Sequence, residues 1–125
     1  MIVAEKLRKG GAKVPVVYYI HGGGFAAGNN QGNFRTLVGS KSMMVVSISY
    51  RLGVFGFLPL DSAEARTTTN RGNWGILDQQ AALQWGNKFV SSFGGDPLLS
   101  TVVGSSAGGE SALYHSVIPG SFLKF

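Results

Sequence analysis

The sequence contains no cysteine and little charge, and these absences limit what the chain can do. Without a thiol, its 125 residues can form neither a disulfide framework nor a zinc-thiolate site. Its apolar runs fall far short of the ~20 residues that a membrane-spanning helix needs. The N-terminus lacks the basic-then-apolar order of a signal peptide, so nothing in the sequence indicates a compartment.

Charge of either sign is sparse, with eleven Lys and Arg against six Asp and Glu. Four of the basic residues lie near the start of the chain, namely Lys6, Arg8, Lys9 and Lys13. The other basic residues are scattered along the sequence. Nucleic acid or a membrane surface would require a sustained basic cluster or stripe, so we interpret these residues as a solvated basic end. No nucleic-acid partner is expected.

Apolar runs separated by glycine clusters predict the strands. Nineteen glycines without a fixed period indicate turns and close backbone approaches. Strands are predicted at Val14–Ile20 and Met43–Tyr50, with a shorter one at Thr101–Val103. Their nearly continuous apolar character is typical of strands covered on both faces.

Two helices are predicted after the second strand. The first spans 73–90, with Asn73 as its cap. Helix is less favoured beyond Gly86, because glycine costs about 1 kcal/mol relative to alanine. Its apolar stripe is predicted to contain Trp74, Leu77, Ala81, Trp85 and Phe89. The second helix follows Ser106 and ends at Pro119 and Gly120.

Strands alternating with helices predict an α/β fold with a mostly parallel sheet and flanking helices. The polar stretch Pro59–Gly72 is predicted to be a surface connection. Three strands and two long helices would leave apolar faces and sheet edges uncovered, so residues 1–125 are interpreted as one piece of a larger domain.

Gly104-Ser105-Ser106-Ala107-Gly108 fits the pattern G-x-S-x-G between a strand and a helix. In that context a sharp turn projects a serine hydroxyl above the sheet, and small neighbours are needed because the backbone folds tightly. The serine is then expected at strained dihedrals. The pattern alone is also compatible with a helix start that Ser105 or Ser106 merely caps.

The stretch His21-Gly22-Gly23-Gly24-Phe25 follows the first strand. A serine that attacks a carbonyl generates an oxyanion, which requires preorganised N–H donors, and glycine amides can approach a substrate most closely. A plain tight turn would explain the glycines alone, but an HGGG loop together with G-x-S-x-G is typical of lipases and esterases.

The whole chain resembles the type-B carboxylesterase/lipase family, the cholinesterase-like branch of the α/β-hydrolases. Five blocks in the family's order carry the resemblance: VVYYIHGGGFAAGN, VVSISYRLGVFGFL at 45–58, GNWGILDQQAALQW at 72–85, FGGDP at 93–97 and GSSAGGESALYHSVIPGS at 104–121. It implies an α/β-hydrolase fold truncated at both ends, and a carboxylic ester or lipid substrate with no metal or organic cofactor.

The resemblance also implies site residues: Ser106 as the nucleophile, and the backbone N–H groups of Gly23, Gly24 and Ala107 as the oxyanion hole. Three positions depart from the family pattern. Ser105 replaces a glutamate that would help to steady a charged histidine, Gly86 replaces an aliphatic residue, and Leu98 replaces a polar one.

A base for Ser106 is not found in the sequence. His115 lies nine residues along the helix, about 13 Å away along its axis, which is too far for a hydrogen bond. The resemblance implies that His21 is structural. Glu110 is expected to be a surface acid, and Asp78 and Asp96 are expected to be helix-start and turn residues. By resemblance, the acid and histidine lie downstream of Phe125.

Three functions therefore stay open. The parent protein is expected to cleave carboxylic esters through an acyl-serine, while this chain alone is expected to be nearly inactive. The alternatives are a non-catalytic cholinesterase-like interaction domain, which the presence of Ser106 disfavours, and a truncated gene product. The substrate specificity and oligomeric state do not follow from the sequence.

Overall fold

The computed structural model describes residues 12–41, 43–59 and 72–121. Three strands form a parallel sheet in the order β2-β1-β3, where β1 is Val14–Ile20, β2 is Met44–Ile48 and β3 is Gly95–Gly104. The α-helices are α1 (Arg35–Lys41), α2 (Gly53–Phe57), α3 (Trp74–Phe89) and α4 (Ala107–Val117), and a 3₁₀ helix spans Val90–Phe93. A parallel sheet with flanking helices confirms the predicted α/β class.

Strand β1 lies in the centre of the sheet, and its buried side chains form the middle of the core. Val16, Tyr18 and Ile20 are fully buried, whereas Pro15 is exposed and the alternate residues Val17 and Tyr19 are half-buried. In the described part of the chain, the second face of this strand is therefore covered only in part, as expected for a piece of a larger domain, whereas four of the five residues of β2 are buried. On the half-covered face, the ring of Tyr19 packs on Phe34.

Strand β3 is longer than the predicted Thr101–Val103 because its first half is irregular. Pro15 pairs with Asp96 and the next residue, Val16, pairs with Ser100, so three residues of β3 bulge out between them. The bulge contains Pro97, and the Asp96 carboxylate accepts the N–H of Leu98 in a turn. Residues of this kind obscure a strand in a sequence pattern.

The predicted apolar stripe of α3 is wrong. Ala81, Trp85 and Phe89 are exposed, and the buried face contains Gly75, Gln79, Leu83 and Gly86. Small residues on this face let the helix backbone lie close to its neighbours. A Cβ at Gly75 would lie 2.7 Å from the Arg51 carbonyl oxygen.

Gly86 does not end α3, which continues to Phe89. The ring of Tyr18 occupies the space beside Gly86, where an added Cβ would lie 2.3 Å from the tyrosine Cε1. Burial raises the pKa of Tyr18 to about 12. The glycine therefore has a packing reason, since it accommodates a buried tyrosine in the central strand.

Other sequence expectations have mixed outcomes. Asn73 precedes α3 as predicted, but its side chain makes no capping hydrogen bond. Helix α4 begins and ends where expected. Lys13 is exposed and contacts the Ser91 hydroxyl, while Lys6, Arg8 and Lys9 and most of the predicted 59–72 loop lie outside the described residues. No helix in the described part of the chain is long and apolar enough to cross a membrane.

Alanine at position 86 should destabilise the fold, although alanine is the better helix former. We expect the Gly86→Ala variant to lose about 1–3 kcal/mol, because the methyl group overpacks against Tyr18. Gly39→Ala in α1 is the matched control, since a Cβ there meets nothing within 4 Å and should stabilise by up to about 1 kcal/mol. Urea unfolding measures both changes.

A second variant tests whether the tyrosine ring is the cause. Adding Tyr18→Val to Gly86→Ala should reduce the cost of the alanine, because the ring that it meets is gone. If Gly86→Ala stabilises the protein as Gly39→Ala does, the packing explanation is wrong.

Candidate active site

The two glycine- and serine-rich loops identified in the sequence begin at neighbouring strand ends. Ile20 of β1 is paired in register with Gly104 of β3, so the loops that follow these residues leave the same edge of the parallel sheet. The N–H of Ser105 points to the carbonyl of Ile20 at 3.4 Å. Ligands of open α/β sheets bind at such carboxyl ends.

The loops touch each other through Gly22. A Cβ added at this glycine would lie 2.4 Å from the carbonyl oxygen of Ser105 and 3.1 Å from the Cβ of Ser106. Any larger residue would push the two loops apart. The structure therefore brings the glycine bend and the serine turn together, as the sequence motifs predict.

Ser106 has the strained backbone that the motif predicts. Its φ of 54° and ψ of −125° lie outside the regions that L-residues ordinarily occupy. Its side chain makes no hydrogen bond to cap α4, so the capping interpretation of this serine is not supported. The residue is exposed, and a strained, exposed serine before a helix is typical of a nucleophile.

Glycines on both sides make this turn possible. A Cβ at Gly104 would lie 2.0 Å from the carbonyl oxygen of Gly108, and one at Gly108 would lie 2.1 Å from that of Ile20. Neither position has room for a side chain. The start of α4 is therefore packed directly against the end of β1.

The glycine bend has its own strained conformation. Gly23 and Gly24 have φ values of 116° and 60°, and Phe25 is at 59°. In the described ranges, Phe25 and Ser106 are the two non-glycine residues with positive φ, so the strain is concentrated in these two loops. Such strain is found at functional sites more often than elsewhere.

Three hydrogen bonds hold the bend in place. The N–H groups of Ala26 and Ala27 both donate to the carbonyl of Gly23 at 3.1 Å, and the N–H of Gly53 donates to that of Phe25 at 2.7 Å. The amide N–H groups of Gly23, Gly24 and Ala107 donate to no backbone carbonyl within the described residues. These three groups are the N–H donors expected for the oxyanion hole.

His21 is buried beneath the bend, where its role is structural. Its Nδ1 donates to the carbonyl of Gly22 at 2.8 Å. Its ring stacks on Tyr50 with centroids 4.5 Å apart, and the Tyr50 hydroxyl donates to the His21 carbonyl at 2.7 Å. An added Cβ at Gly28 would lie 2.3 Å from Nδ1, so this glycine encloses the ring.

His115 is also engaged away from Ser106. It is buried on α4, with Nδ1 2.9 Å from the Ser121 hydroxyl and Nε2 3.0 Å from Oε1 of Gln79. Burial lowers the pKa of His115 below the ordinary histidine value. Glu110 is exposed. Both residues behave as the helix geometry predicts, and neither serves as a base for Ser106.

Two features of the site region escaped the sequence analysis. Asp78, expected only as a helix-start residue, forms a two-pronged ion pair with Arg51 at 2.7 and 2.8 Å and also accepts the Arg51 backbone N–H. These bonds hold the pKa of Asp78 below its usual range. The second feature is a buried polar network between α3 and α4, which includes Gln79 and Ser111. In the sequence, both features are marked only by isolated polar residues within largely apolar helices.

Within the described ranges, no group of three or more His, Asp or Glu side chains is arranged so that it could hold a metal ion.

Comparison with known proteins gives a consistent set of relatives. The model of the carboxylesterase family matches residues 2–125. Pyrethroid hydrolase Ces2a of Mus musculus is 41% identical over 110 residues, covering 87% of this chain and 19% of that protein. Liver carboxylesterase of Sus scrofa is 43% identical over 100 residues, covering 79% and 17%.

Acetylcholinesterase 4 of Caenorhabditis briggsae is 43% identical over 109 residues, covering 85% of this chain and 17% of that protein. The chain thus spans less than a fifth of the length of these curated relatives.

Two adjacent glycines in the bend should differ in their tolerance of alanine. At Gly24 a Cβ meets nothing within 4 Å, so Gly24→Ala should cost only the left-handed strain of about 1–2 kcal/mol. At Gly23 a Cβ would lie 1.9 Å from the Ala27 carbonyl oxygen, and Gly23→Ala should cost clearly more. Equal losses in urea unfolding would contradict this account of the bend.

The stability of the chain should fall as the pH drops below about 6.5. The folded state resists protonation of His115, whereas the unfolded chain accepts the proton near the ordinary pKa of about 6.5. Stability is therefore lost from about pH 6.5 down to the lowered folded pKa, by at most about 1.4 kcal/mol per pH unit. His115→Gln should flatten the pH dependence of the unfolding free energy, measured between pH 7.5 and 5.5. An unchanged pH dependence in this variant would contradict the assignment of the effect to His115.

Proposed function

Because this chain belongs to the carboxylesterase family, we propose that it is the part of a serine ester hydrolase that carries the nucleophile and the oxyanion hole. Ser106 attacks the ester carbonyl carbon, and a bond forms between its Oγ and that carbon. The alcohol then leaves and an acyl-serine remains, which water cleaves to the free acid.

The contact between the two strained loops is the observation that carries this proposal. Gly22 lies against the Ser105–Ser106 turn without room for a Cβ. The amides of Gly23, Gly24 and Ala107 border this contact and have no backbone partner in the described ranges. Donors fixed before the reaction stabilise the developing oxyanion, and losing one typically costs 10²–10³-fold in kcat.

The hollow beside the bend suits the apolar part of an ester. Its lining includes Gly24, Phe25, Val54, Phe57 and Leu58, all of them without a charged group. We infer an uncharged ester substrate at this side of the bend, and the acyl and alcohol specificity depends on further residues.

The base is proposed to lie outside these 125 residues. The sequence has two histidines, and both His21 and His115 are held by other groups. A serine hydroxyl is a weak nucleophile until a base accepts its proton. The complete enzyme therefore needs a further acid and histidine, while Ser105 supplies no carboxylate beside the nucleophile.

Hydrolysis of a p-nitrophenyl ester tests the proposal. In the complete protein, this segment with its proposed downstream acid and histidine, Ser106→Ala should lower kcat by roughly 10³-fold or more, because the covalent route is lost. Ser116→Ala is the matched control, since this exposed serine on α4 only donates to the Leu113 carbonyl. It should leave kcat unchanged.

The 125-residue chain by itself is the second arm of this experiment. It should show little turnover, because the base is missing. Full activity of the Ser106→Ala protein would contradict the nucleophile assignment, whereas no turnover by the complete unmutated protein would favour a non-catalytic interaction domain. Robust Ser106-dependent turnover by the 125-residue chain would contradict the proposal that the base lies elsewhere.

A further inference from the structure

A chain of buried hydrogen bonds runs from the C-terminal end of α4 to its first residue. Four polar side chains carry it, and all are almost fully buried: Gln79, Ser111, His115 and Ser121. Buried polar groups are costly unless each is satisfied. The network is therefore a specific arrangement that fixes α3 against α4.

The bonds of this network all run in one direction. Oε1 of Gln79 can only accept, so His115 carries its proton on Nε2, and its Nδ1 accepts from the Ser121 hydroxyl. The amide group of Gln79 donates to Ser111 Oγ at 3.1 Å. The Ser111 proton is then free to donate to the carbonyl of Ala107 at 2.9 Å.

The network thus ends on the first residue of α4. Ala107 directly follows Ser106, and the Ala107 carbonyl accepts a hydrogen bond from the Ser111 hydroxyl. On the other side, Gly108 packs against the carbonyl of Ile20 without room for a Cβ. The first turn of α4 is held between β1 and this polar network. The N–H and the carbonyl of Ala107 belong to successive peptide units that share its Cα, so fixing the carbonyl restricts the backbone rotations that aim the N–H.

We propose that Gln79, acting through Ser111, is a positioning residue that sets the orientation of the Ala107 N–H for ester hydrolysis. This inference rests on the proposed function, in which that N–H binds the oxyanion. Gln79 itself contacts no reacting atom. Its effect depends on the donor direction of its amide, because a side chain that only accepts would draw the Ser111 proton away from Ala107.

A second glutamine on α3, Gln84, allows the proposed positioning role of Gln79 to be compared with a bond that only joins α3 to its surroundings. Gln84 donates to the carbonyl of Gly120 at 2.9 Å, which joins α3 to the loop after α4, far from the first turn. Gln84→Ala therefore removes a bond from α3 to the loop after α4, and we expect it to leave Ala107 undisturbed. It is the matched control for Gln79.

The decisive variant is Gln79→Glu, which keeps the side-chain shape and the bond from His115 but reverses the bond to Ser111. In ¹H–¹⁵N spectra of the 125-residue chain, we expect the Ala107 amide resonance to move in Gln79→Glu and to stay in place in Gln84→Ala. In the complete protein, Gln79→Glu should lower kcat about tenfold or more with KM within about twofold, because the donor is misdirected in the transition state.

Ser111→Ala gives the same readouts if the buried carboxylate prevents folding. It removes the donor to Ala107 with little change in volume, and it should also move the Ala107 resonance and lower kcat. The proposal is overturned if the Ala107 resonance and kcat are unchanged, or if Gln84→Ala lowers kcat equally. If the complete protein shows no Ser106-dependent turnover, the proposed function fails, and the amide resonance alone decides whether Gln79 positions Ala107.

Discussion

The close approach of the glycine bend to the serine turn is the constraint on which the rest of the site depends. Parallel pairing of β1 with β3 places both loops at one edge of the sheet, but pairing alone leaves a gap that side chains would fill. Gly22, Gly104 and Gly108 remove those side chains at three successive contacts. The backbones then meet directly, and backbone N–H groups become available where side chains would otherwise stand. The glycines of these two loops are thus explained by a site made of main chain.

Two further layers hold this arrangement. Beneath the bend, the rings of His21 and Tyr50 stack on each other, and their hydrogen bonds to the carbonyls of Gly22 and His21 support the backbone at the start of the bend. Behind the serine turn, α3 reaches α4 through buried polar side chains rather than apolar ones. Polar contacts specify distance and direction more strictly than apolar packing does. The strain in Ser106 and Phe25 is therefore supported by neighbours on both sides, as strained residues require.

The motifs and the bounds of β1 could be predicted from the sequence because they depend on local backbone demands. The predicted start and end of α4 and the strained serine follow from glycine positions and chain order, whereas the structural role of His21 follows from the family resemblance. The buried face of α3 could not be predicted, since its packing uses Gly75 and Gly86 while Trp85 and Phe89 remain exposed. Likewise, the ion pair of Arg51 with Asp78 and the bulge before Ser100 join residues whose proximity is decided by the tertiary fold. Periodicity reports apolar character, and it cannot detect a helix that packs through glycine.

We propose that the amides of Gly23, Gly24 and Ala107 and the hydroxyl of Ser106 face one small volume. A crystal structure of the complete protein after reaction with an organophosphonate tests it most directly, because the phosphonyl oxygen imitates the oxyanion. We expect phosphorus bonded to Ser106 Oγ, with the phosphonyl oxygen about 3 Å from those three amide nitrogens. A Ser106 adduct whose phosphonyl oxygen points to solvent, away from the glycine bend, would contradict it.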